Sequence, residues 1–89
     1  MKTSKLNQKS LQLLEKLPAG SKVEGHILIN GTHATVDQQK YLNSIGCELR
    51  GFTTSNYPGV IATATIDIDG LDRLLSLDYI TRVEFASIK

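Results

Sequence analysis

Eighty-nine residues make one small domain that buries roughly 60–70% of its unfolded surface, with no room for a second domain or a deep substrate cleft. Ten basic residues against nine acidic ones leave a charge of +1, so no general field draws nucleic acid or an anionic membrane. Cys47 is the only cysteine, which excludes an internal disulfide framework and suggests a reducing compartment. Residues 1–10 lack the apolar run of a signal peptide, and no apolar run approaches membrane-spanning length. The expectation is a soluble, cytoplasmic domain.

Residues 3–17 predict a helix, with Ser4 as its cap. Leu6, Leu11, Leu14 and Leu17 fall near one stripe, while Lys5, Lys9, Gln12 and Lys16 face water. Pro18, Ala19 and Gly20 end it, because proline cannot continue the helical ladder and glycine accepts a left-handed turn. Such a helix either covers an exposed apolar surface or docks elsewhere. Residues 22–30 predict a first strand whose second half, Ile27, Leu28 and Ile29, is apolar on both faces, as suits a central strand. His26 reads as a surface histidine on the sheet, since no second histidine, cysteine or carboxylate stands at a metal-ligand spacing. Asn30 and Gly31 signal a turn.

Residues 35–45 predict a second helix. Thr35 and Gln38 have capping-box spacing, and Asp37 lies in the first turn, where the helix dipole favours it. Val36, Tyr41, Leu42 and Ile45 form its expected buried stripe, and Gly46 ends it. Residues 47–54 predict a second strand in which Cys47 is buried and structural, nothing nearby lowering its thiol pKa. Residues 53–59 are turn-rich and close with Pro58 and Gly59, which favour a tight reversal into an antiparallel neighbour. From 60 to 68 the β-branched alternation of a third strand is clear. Asp69 then offers a cap, and Leu71, Leu74, Leu75 and Leu77 recur at helical spacing. Ile80, Val83 and Phe85 open a last strand.

After the first helix the order is strand, helix, strand, strand, helix, strand. That is the α+β, ferredoxin-like βαββαβ pattern: a four-stranded antiparallel sheet with two helices on one face, preceded by an N-terminal helical extension over residues 1–20. Alternation assigns Leu49, Ala62, Ala64, Ile66, Val83 and Phe85 to the covered face. It assigns Glu48, Arg50, Phe52, Ile61, Thr63, Thr65, Arg82 and Glu84 to the open one. Phe52 and Ile61 there would form an exposed apolar patch of the kind that marks a partner surface.

The chemical screen is short. No Ser/His/Asp or Cys/His arrangement shares a plausible pocket, and Asp67, Asp69 and Asp72 fall across a strand end and a helix start. No metal or cofactor is expected. RNA-recognition domains share the topology, but they stack bases on aromatics of the central strands, and neither 22–30 nor 60–68 contains one. Binding of nucleic acid is not expected.

The segment from Leu71 to Glu84, closing on Tyr79, Ile80, Thr81, Arg82, Val83 and Glu84, resembles the C-terminal part of subtilisin-type propeptides and related small peptidase inhibitors. Those end in a leucine-rich helix, a short break and a strand, and the element order agrees from residue 23 to 85. The resemblance implies a non-catalytic protein that binds a subtilisin-like serine protease as free-standing inhibitor or chaperone. In that family the open sheet face packs on two surface helices of the protease, acidic side chains of the last strand cap them, and the tail lies in the active site. Glu84 matches the first acidic position and Ala86 stands at the second. The resemblance thus assigns protein binding to Phe52, Ile61, Thr63, Arg82, Glu84 and Ala86, with Ser87, Ile88 and Lys89 as the tail. The alternative is a non-inhibitory module that uses the same face to dock on another protein or to form a homo-oligomer.

Overall fold

The computed structural model describes residues 3–31, 33–54 and 59–88. A 3-10 turn, Thr3–Lys5, precedes helix α1, Gln8–Lys16. There follow β1, Lys22–Ile29; α2, Val36–Ser44; β2, Cys47–Thr54; β3, Val60–Asp67; a second 3-10 turn, Ile68–Gly70; α3, Leu71–Leu75; and β4, Ile80–Ile88. The four strands form one antiparallel sheet in the order β2-β3-β1-β4.

Alternation along β1 builds the core. Val23, Ile27 and Ile29 are buried, and their partners on β3 are Ile66, Ala62 and Val60, all buried too. Leu42 and Ile45 at the α2 end, and Leu71, Leu74 and Leu75 of α3, complete one cluster with Val83 and Phe85. Helices therefore cover the Val23–Ile27–Ile29 face, and the other face is open. Gly25 is required in the middle of β1, because a Cβ there would collide with the Glu84 carbonyl of β4.

α2 follows its sequence signals closely. The Thr35 hydroxyl accepts from the Gln38 amide at 3.1 Å, and the Gln38 side chain accepts from the Thr35 amide at 3.0 Å, so both halves of the capping box are made. Gly46 takes φ 89 just past the helix, the left-handed conformation that closes it. The expected buried stripe is too wide, however. Val36 is 65% and Tyr41 45% exposed. On a helical wheel they stand about 120° and 100° from Leu42, whereas Gln38 and Gln39 fall within about 60° and are half-buried. The buried stripe is narrow and centred on Leu42, and both glutamines stand closer to it than Val36 or Tyr41 do.

Other expectations are corrected at the helix starts. The first helix does not begin at Ser4. Leu6 leaves the helical path to sit in the core beside Val83, and Asn7 caps α1 by accepting from the Ser10 amide at 2.8 Å. Lys5, expected in water, is half-buried and donates from Nζ to the Leu77 carbonyl at 2.7 Å. Asp67 rather than Asp69 caps the turn before α3, accepting from the Asp69 amide at 3.0 Å. The Asp69 carboxylate instead accepts from the Gly20 amide at 2.9 Å, tying the loop after α1 to that turn. α3 ends at Leu75, leaving Leu77 half-buried beyond it. The reversal expected at 55–58 lies outside the described residues.

The register of β2 supplies a further correction. Leu49 pairs with Ala64 but Gly51 pairs with Thr63, so Arg50 is an extra residue and the strand bulges. Past the bulge Phe52 stands opposite Ala62, and directly opposed side chains share a face. Phe52 is exposed, as expected, but on the helix side at the end of an edge strand, not on the open face.

Candidate functional site

The open face is laid out in cross-strand rows. Ile61, Leu28 and Arg82 are neighbours across β3, β1 and β4. Thr63, His26 and Glu84 form the next row, and Thr65 and Glu24 the third. At the upper two rows the twisted sheet forms a concavity of about 570 Å³ lined by His26, Leu28, Ile61, Thr81, Arg82 and Glu84. Its floor is apolar, from the half-buried Ile61 and Leu28, and one rim is charged. Arg82 and Glu84 along that rim come no closer than 3.7 Å, Arg82 is exposed and Glu84 half-buried, so their attraction is weak and either can turn to another partner.

The third row is self-satisfied. Arg50 reaches from the bulge across β3 to Glu24, with Nη2 2.7 Å from Oε1. Between them the Thr65 hydroxyl, buried under the guanidinium, accepts from Arg50 and donates to Glu24 at 3.2 Å. A polar group so enclosed keeps its hydrogen bonds, and the network stiffens this end of the face.

The structure brings Ile61, Thr63, Arg82 and Glu84 together, as the sequence predicts, and leaves Phe52 out. Ala86 is exposed on β4 at an irregularity where Phe85 pairs with Gly25 and Ser87 with Glu24. Ser87 and Ile88, expected as a tail, pair with Glu24 and Val23 as strand residues. Lys89 lies outside the described residues. Leu28 and His26 were missed as site residues. The signal for Leu28 was present, since an apolar residue between Ile27 and Ile29 must stand on the opposite face from them.

Among the described residues no group of three His, Cys, Asp or Glu side chains is placed to hold a metal ion. No helix there is long and apolar enough to cross a membrane. Cys47 is buried, and that burial pushes its thiol up to about 12, which keeps it a neutral packing group. No protein-family model, curated protein or solved structure matches this chain.

Proposed function

We propose that this chain is a ferredoxin-like protein-binding domain that docks a protein through its open sheet face, in the manner of subtilisin propeptides. The observation that carries the reading is the concave face itself, with Ile61 and Leu28 as an apolar centre beside the Arg82 and Glu84 rim. An apolar centre with a polar border is the anatomy of a protein interface. The strand order β2-β3-β1-β4 supports the ferredoxin-like assignment, since it sets the first and third strands at the centre and the second and fourth at the edges. Docked on a protease helix, the Glu84 carboxylate would accept from the free amides of the helix N-terminus, where the dipole favours negative charge.

Titration of the domain against a panel of subtilisin-like proteases tests this, read as the rate of peptide hydrolysis. Slowed hydrolysis that weakens on Ile61→Ser and on Glu84→Ala is the expected result. A panel in which no protease is slowed removes the inhibitor reading. The second reading, a non-inhibitory interaction module, is favoured by Ser87 and Ile88, which serve the sheet rather than extending toward an active site. It predicts protease complexes without inhibition, or docking on a different protein that is lost with Ile61→Ser.

A further inference from the structure

The outer edge of β4 is occupied by a segment that is not a strand. Leu6 makes a single parallel bridge to Val83, and the buried Ser10 hydroxyl accepts the Phe85 amide at 2.9 Å. One backbone contact and one side chain thus stand where a neighbouring strand would supply a continuous ladder. Val83 and Phe85 both turn backbone groups outward, the every-second-residue pattern that an antiparallel partner requires. The covering segment joins β1 through Pro18 and Gly20, and Gly20 takes φ 80, a joint able to redirect the chain.

We infer that the outer edge of β4 is a homotypic strand-pairing site, covered by residues 3–17 within one chain and pairing antiparallel with β4 of a second copy when that segment swings out. Charge selects both the occupant and the register. A two-fold axis at Val83 sets Arg82 of each copy opposite Glu84 of the other, giving two reciprocal ion pairs. An axis at Glu84 would set that carboxylate against itself. Arg82 is exposed, Glu84 half-buried, and along their own strand they come no closer than 3.7 Å, so neither is committed to the other. The product is one eight-stranded sheet in which β4 is no longer an edge. The inference uses the edge rather than the open face and stands independently of the protease reading.

The test uses the full chain. Ser10→Ala removes the acceptor without adding bulk at this buried position, and hydrogen exchange of the Phe85 amide should quicken about tenfold, the weight of one hydrogen bond, while amides paired with β1 stay protected. Unchanged exchange at Phe85 would show that the segment does not guard this edge. Adding Leu6→Asn should free the segment, and the folded double variant should sediment at twice the chain mass. In that background Arg82→Glu alone and Glu84→Arg alone should each restore the single mass, and an equimolar mixture of the two should regain the doubled one. A folded double variant that stays single overturns the inference, as does a dimer indifferent to both charge reversals. Should the double variant fail to fold, Ser10→Ala alone decides by whether its mass rises with concentration.

Discussion

Val23, Ile27 and Ile29 come from the same eight-residue strand as Glu24, His26 and Leu28, yet the two sets live under different rules. On the covered face every side chain named is fully buried and its neighbours are apolar, drawn from helices and strands alike. On the open face, Ile61 and Leu28 lie side by side and the positions around them are polar, joined by ion pairs and hydrogen bonds within the sheet. One face is filled by the chain itself, and its residues are fixed by volume. The other is finished only in part, at the Arg50–Thr65–Glu24 end, and its remaining half is concave and apolar at the centre. Residue identity should therefore control stability on one face and association on the other.

The sharpest way to break that division is Leu74→Ala. Leu74 is buried in the core cluster under α3, and the truncation should cost about 2–5 kcal/mol, a large share of the stability of a domain this small. Urea denaturation measures it, and a midpoint that barely moves would mean the covered face is not packed by volume.

A second test reads the same face through pH. Burial raises the Cys47 thiol from 9.0 to about 12, so the folded chain holds a proton that the unfolded chain releases. The contribution is whole below pH 9.0 and is lost as pH climbs from there to about 12. Tyr79 is also raised above 10.0, first by its burial and then by Tyr41 and Cys47, and adds a later fall. Cys47→Val should flatten the stability curve between pH 9 and 10 while leaving the tyrosine part. Stability that is independent of pH in the native sequence over that interval would show the thiol to be solvated.

Smaller effects belong to the open face. Arg50→Ala removes a half-exposed ion pair and the guanidinium over Thr65, and should lower stability by about 1 kcal/mol or less. Ile61→Ser should shift the midpoint least, by under about 1 kcal/mol, since the residue is only half-buried. A loss comparable to that of Leu74→Ala would erase the distinction between the faces.

The order of elements was legible because the boundaries carry local chemistry. Thr35 with Gln38, Gly46, and the β-branched run from Val60 act within a few residues of themselves, and the chain obeys them. What escaped depends on distance. Nothing local marks Ser10 as buried, since the amide it accepts from lies 75 residues away. The narrow seating of α2, which leaves Tyr41 outside and Gln38 half-buried, is set by the sheet rather than by the helix. The site was half legible for the same reason. Arg82, Glu84, Ile61 and Thr63 follow a period of two on undisturbed stretches, while Phe52 lies beyond a bulge that no period announces.

That bulge also bears on how the length of this domain can drift. Position 50 has no counterpart on β3, so β2 carries one residue more than its pairing uses. Deleting it would leave Leu49 opposite Ala64 and Gly51 opposite Thr63, with Phe52 still opposite Ala62. Deleting Thr63 from β3 would instead send every later side chain of that strand through to the wrong face. A lineage can therefore gain or lose a residue at 50 and keep its sheet, giving up the Arg50 contacts to Glu24 and Thr65, whereas β3 must keep its count.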